Sequence, residues 1–169
     1  MEFLRRKLNG TNIFFICLSV FVLSILCGFL ITEVYPHKPS VKELNPDFWG
    51  IFFQNIKVSL MLISFGVFTL GFSTLFLLIN NGVSLGIALK SLSFDWAYIL
   101  YLLPHGIIEI PAILLSAVLG IQLICNLILE SGKYKLSFFL KRLIIIFLCF
   151  FIAACIETYI TPVLCSNFL

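Results

Sequence analysis

A histidine and a carboxylate stand four residues apart between two prolines in the stretch Pro104-His105-Gly106-Ile107-Ile108-Glu109-Ile110-Pro111, at the head of a long apolar run. On a helix, residues i and i+4 share a face, so His105 and Glu109 address the same point. An imidazole and a carboxylate so placed can hold a metal ion or pass a proton. Ionisable groups at membrane depth are costly enough to mark a functional site. Pro104 suits the first position of a helix. Pro111 has no N–H, so the carbonyl of Ile107 loses its usual partner beside the two side chains. Broken backbone of this kind lines a cavity rather than facing lipid. Gly106 leaves room for another chain to come close.

A second carboxylate, Glu157, interrupts the last apolar run in Glu157-Thr158-Tyr159-Ile160-Thr161-Pro162. Asn55 and Lys57 are the strongly polar residues in the middle of theirs. They stand about 200° apart on a helix, so only one of them faces a given site. Three readings are open. In the first, His105, Glu109 and Glu157 bind a metal, with Asn55 or a water completing the shell. One imidazole and two carboxylates with an open position match catalytic zinc, and Glu109, His105 and Asn55 are then the catalytic residues. In the second, the cluster is structural: Lys57 neutralises one glutamate, the other is protonated, and His105 bonds to it. In the third, the same groups form a proton or ion relay. His37, the other histidine, falls in a loop. The chain has no His-Glu-x-x-His, no Gly-x-Ser-x-Gly and no Walker A loop, so it is not itself an ATPase.

The elements that must position these groups are membrane helices. The 169 residues are 61% hydrophobic and 11% charged, with a mean hydropathy of +1.13, whereas a soluble domain is about 25% charged. Repeated apolar runs of about 20 residues predict an all-α, polytopic transmembrane bundle, one integral membrane domain over 1–169. A net charge of +3, concentrated at helix ends, argues against nucleic acid as a partner. The six cysteines contain no C-x-x-C pair and read as packing residues. Cys165, near the C-terminal end, is the one to watch for reactivity.

Five crossings are expected. A basic head precedes helix 1 (about 13–34), whose apolar run is too long for a signal peptide. A proline-rich link, 35–47, is a loop, and Asn45-Pro46-Asp47 suits a helix start. Residues 48–80 form one long tilted helix or an in-plane piece followed by a crossing. Asn80-Asn81-Gly82 reads as a turn, and Gly86 gives the next segment a small face for close packing. Segment 83–103 is interrupted around Lys90 to Asp95. Segment 104–130 is the fourth crossing, broken near Pro104–Pro111, and 138–162 is the last. Basic clusters at Arg5-Arg6-Lys7 and at Lys133, Lys135, Lys141 and Arg142 predict a cytoplasmic N-terminus and an external C-terminus.

The chain resembles the stage II sporulation protein M family of bacterial integral membrane proteins. The likeness covers about residues 48–165. It rests on Phe52-Phe53-Gln54-Asn55, Gly66, Asn81-Gly82, Leu85-Gly86, Leu103-Pro104-His105-Gly106 through Glu109-Ile110-Pro111-Ala112, Gly120, Ala153-Ala154, Glu157 and Thr161-Pro162. Pro-His-Gly-x-x-Glu is its most specific part. The resemblance implies one of two roles in the bacterial cell membrane. The first is maturation and export of a circular bacteriocin, in which a metal such as Zn2+ on His105, Glu109 and Glu157 would serve an intramembrane peptidase or cyclase. Its partners would be membrane lipid, a hydrophobic precursor peptide, a cytoplasmic ATP-binding protein and other membrane subunits. The second is a non-enzymatic scaffold or export subunit, as in the sporulation engulfment complex, with the ATP-binding protein docked on loop 131–142. Self-association is compatible with either. The brief first external loop departs from the sporulation type and favours the first role.

Overall fold

The computed structural model describes residues 10–31, 47–91, 96–128 and 135–166, with backbone alone for 96–101, 128, 165 and 166. The basic head before Gly10, the link with His37, the 129–134 connection and the side chain of Cys165 lie outside the described residues. Apolar runs in a bilayer must satisfy their own backbone, and they do so here as helices. These are α1 (Gly10–Ile31), α2 (Phe48–Phe68), α3 (Phe72–Ser91), α4 (Trp96–Ile128) and α5 (Leu136–Cys155). A π-helical turn (Ile156–Ile160) and α6 (Thr161–Ser166) continue α5. Among the described residues, five segments are long and apolar enough to cross a membrane: Gly10–Ile31, Phe48–Phe68, Phe72–Ser91, Leu102–Leu127 and Leu136–Leu164. The chain is a multi-pass membrane protein, as expected.

Several boundaries differ from the sequence reading. Asn80-Asn81-Gly82 is not a turn but the middle of α3. The chain reverses at Thr69–Gly71 instead. There Leu70 (φ 55°) and Gly71 (φ 93°) are left-handed, and the Gly71 N–H donates to Gly66 O at 2.8 Å, the outer bond of a Schellman cap. Reversal at this point yields two helices of 21 and 20 residues, each matched to a bilayer of about 30 Å. It also frees Gly82 and Gly86 for packing. The 83–103 segment is accordingly split between α3 and α4. Pro104 is not a first helical residue, because α4 begins at Trp96 and carries both Pro104 and Pro111 inside a continuous helix. The expected break is a pair of missing N–H donors within that helix, not an interruption. Thr161-Pro162 does not end the last helix either, since α6 continues it. The expected start at Asp47 holds: its carboxylate caps α2, accepting from Gly50 N–H at 3.0 Å.

Helix α4 is the hub. It contacts α1, α2, α3, α5 and the segments after α5, and 56% of its span is buried against 22–28% for the others. Small residues set the approach of the remaining helices. α1 and α3 run parallel: a Cβ on Gly82 would strike Ser24 Oγ, one on Gly86 the carbonyl of Ile25, and one on Gly28 the carbonyl of Val83. At the same end of this pair, Lys90 Nζ lies 4.5 Å over the Phe29 ring. α2 and α4 are also parallel. Ser59 and Ser116 hydroxyls meet at 2.8 Å, and a Cβ on Gly120 would lie 2.5 Å from Leu62 O. Thr74 Oγ1 donates to Leu62 O at 2.8 Å and ties α3 to α2. α5 returns antiparallel to α2, with Phe52 on Phe147 at 5.0 Å and Phe48 on Phe151 at 5.4 Å. Near its start Arg142 donates to Gln122 Oε1 of α4 at 2.8 Å.

Gly86→Val is expected to prevent close α1–α3 contact and to cost about 1–3 kcal/mol, as overpacking does. Gly106→Ala, whose Cβ would meet nothing within 4 Å, is the neutral control; thermal unfolding in mild detergent measures both. Leu70→Gly is expected to raise stability by about 1 kcal/mol, because a left-handed conformation costs that much with a Cβ present. The same assay, showing no upward shift, would refute it.

Candidate metal centre

Two helix segments that enter the bundle in opposite directions bring the three ionisable residues together. His105 and Glu109 sit a turn apart near the beginning of the α4 span. α5 is antiparallel to α4, so its late residues return to the same level, and Glu157 arrives there on the π-turn. One ligand atom from each of His105, Glu109 and Glu157 lies within 4.8 Å of the other two. His105 is buried, at 7% exposed, and both glutamates are half-buried. The meeting of the three, left open by their spacing in the chain, is thus a property of the fold.

The π-turn has a covalent cause. Pro162 has no N–H and its ring presses on the preceding turn, so a regular α-helix cannot run through it unchanged. The chain widens instead: the Thr161 N–H reaches back to Ile156 O, and Thr161 Oγ1 donates to the same carbonyl at 3.2 Å. Such turns rotate the residues they contain and recur at functional sites. Glu157 is one of them. So is Thr158, whose buried Oγ1 has no hydrogen-bond partner among the described residues.

The donor set suits a divalent cation. Zinc binds imidazole and carboxylate at about 2.0–2.2 Å in tetrahedral geometry, so two ligands of one ion stand about 3.4 Å apart. A spread of up to 4.8 Å closes on an ion with side-chain shifts of about an ångström. Two carboxylates this close repel strongly where little water screens them, and a cation removes that repulsion. Lys57 does not supply the balancing charge. It is exposed, on the side of α2 away from α4. The structural reading in which Lys57 neutralises one glutamate is therefore not the arrangement found.

Asn55 is half-buried on the α4-facing stripe of α2. The Ser59–Ser116 and Leu62–Gly120 pairings, run back one turn, put it level with Ala112. That is a turn further into the bundle than Glu109, and Asn55 makes no hydrogen bond to the cluster. Nor does another segment among the described residues fill the space at Gly106, which opens onto a cavity of about 390 Å³. Phe21 of α1, Asn81, Leu85 and Leu89 of α3, and the Leu103, His105 and Glu109 side of α4 line this cavity. Sequence reasoning missed the α1 and α3 walls. Asn81 was visible as a polar residue, but its reading as a turn removed it from consideration. In the fold its Nδ2 donates to Leu77 O at 2.8 Å within the helix, and the residue faces the cavity.

The family described as Stage II sporulation protein M matches residues 16–162, which include every element of this site. An uncharacterised protein of Methanocaldococcus jannaschii is 35% identical over 134 residues, spanning 72% of this chain and 75% of its own. No solved structure matches the chain. The match runs from α1 through the π-turn that carries Glu157, and the chain belongs to the stage II sporulation protein M family of membrane proteins.

Proposed function

We propose that the protein is a metal-dependent intramembrane enzyme that acts on the carbonyl of a hydrophobic precursor peptide, a peptidase or cyclase in the maturation of a circular bacteriocin. The observation that carries this reading is the convergence of His105, Glu109 and Glu157 within 4.8 Å, with two of them in the wall of a largely apolar cavity of about 390 Å³. An ion held there would act as a Lewis acid on a carbonyl oxygen. The rest is done by the chain. The leucine-lined cavity accepts an apolar peptide segment from the side of the bilayer and keeps water scarce, so that an amine competes with hydrolysis. In the cleavage step one water adds to the carbonyl of the leader's last residue, the C–N bond breaks and the leader leaves as a carboxylic acid. One proton moves from the attacking water to the leaving nitrogen, which becomes the free N-terminal amine that ring closure needs. Glu109, which lines the cavity while Glu157 does not, is placed to pass that proton.

The bundle's polarity supports an outward-facing site. Lys135, Lys141 and Arg142 start α5 at the end opposite His105, and Arg5, Arg6 and Lys7 precede α1. With both clusters cytoplasmic, the cavity lies toward the external face of the bacterial cell membrane. A cytoplasmic ATP-binding protein would then dock on the basic end, remote from the chemistry.

The purified protein is expected to bind about one zinc per chain, and His105→Ala or Glu157→Gln to weaken it by about 10–100-fold or more, the range for disturbing a metal's surroundings. Elemental analysis and competition with a chromophoric chelator measure this. Protein that stays metal-free in excess zinc, with mature peptide still made, would identify a scaffold instead.

In producing cells, His105→Ala and Glu109→Gln are expected to abolish the mature cyclic peptide, read by mass spectrometry of the secreted product. Gly106→Phe should fill the cavity, retain zinc and still lose product. Normal peptide from all three variants would sink the proposal.

A further inference from the structure

A charge at the middle of α2 has no counterpart among the described residues. Lys57 lies midway along the 21-residue helix, about 15 Å from either end at 1.5 Å per residue. Its side chain cannot span that distance to reach water by snorkelling. It is exposed, and it points away from the Asn55, Ser59, Leu62 and Gly66 stripe that meets α4. It makes no hydrogen bond or ion pair among the described residues. Gln54, a turn away, is also exposed. So is Asn80 of α3, which the Leu62–Thr74 pairing across the turn puts at a similar depth. Polar groups on a lipid-facing flank at mid-membrane are expensive unless another protein meets them.

Charge complementarity narrows the partner. Among its described residues, a second copy of this chain has no carboxylate to offer at the level of Lys57. Its described acids within the spans are Glu109 and Glu157, gathered in the cluster nearer one end of the bundle. Asp47 caps α2 at its end, and Glu2, Glu33, Glu43, Asp95 and Glu130 lie outside the described residues. We infer that the Gln54–Lys57 flank of the α2–α3 hairpin docks a transmembrane helix of a different protein that carries an aspartate or glutamate at mid-membrane, paired with Lys57. An ion pair enclosed by two helices in hydrocarbon is retained because separating it strands both charges. This inference is independent of the metal centre, which faces α1, α3 and α5.

The test is site-specific photo-crosslinking in native membranes, with benzoyl-phenylalanine at Gln54 and Lys57 intact. The expected result is a discrete adduct to one heterologous membrane protein, attached within a spanning segment that contains a carboxylate. Lys57→Glu should cut the adduct by about tenfold or more, and replacing the partner's carboxylate with lysine should restore it in that background. Lys57→Met, which loses no hydrogen bond or ion pair among the described residues, should purify with unchanged thermal stability, separating lost docking from misfolding. The inference is overturned if Gln54 labels only lipid, a second copy, or a segment without a carboxylate. It is equally overturned if Lys57→Glu leaves the yield unchanged, or if a probe at the lipid-facing Leu26 of α1 captures the same protein equally well.

Discussion

Backbone lies almost directly on backbone where α3 crosses α1, and the walls of the cavity depend on that contact. Gly82 and Gly86 present no side chain to α1, and Ser24 and Gly28 return the favour. In lipid there is no hydrophobic force to push two apolar helices together, because the solvent is as apolar as they are. Closeness itself, through dispersion and weak polar contacts between backbones, is what holds them. Phe21 and Leu85, which face the cavity from the two helices, lie next to these glycines. Spread the pair by a side chain and the cavity beside His105 loses its shape.

Against that pair, α4 carries the polar chemistry, and two prolines decide how the backbone behaves around it. Pro111 leaves a carbonyl of α4 without its helical donor while the helix continues. Pro162 widens the end of the α5 segment into a π-turn. Neither proline breaks its helix, because neighbouring helices and side-chain hydroxyls absorb the disturbance. The result is a carboxylate delivered from a turn that a regular helix would have aimed elsewhere. Thr161 shows the mechanism, using both its hydroxyl and its N–H on one carbonyl.

Two kinds of polar residue in hydrocarbon are solved in two ways. Those of the cluster turn inward and gather in a set that could hold a cation. Lys57 turns outward, away from the cluster. Both are costs in stability, and both sit on the flanks of elements whose remaining surface packs in the ordinary way.

The all-α class, the five crossings and the Pro-His-Gly-x-x-Glu element were legible in the residues alone, because a bilayer leaves an apolar run of about 20 residues few alternatives to a helix. The four-residue spacing of His105 and Glu109 likewise fixes a shared face from local geometry. Residue types misled where tertiary packing overrode local preference. Asn80-Asn81-Gly82 has the composition of a turn, yet Gly82 is there to receive Ser24, and the reversal falls on Leu70-Gly71, where local preference is weaker. The sequence could nominate Glu157, but not place it: only the antiparallel return of α5 and the widening before Pro162 bring it to His105. Asn55 and Lys57 were equally polar in sequence, and only the packing of α2 on α4 turned one inward and the other to the lipid. Periodicity is a local property of the chain, readable one helix at a time. Which face meets which neighbour depends on contacts between residues far apart in sequence, and those exist only once the bundle has formed.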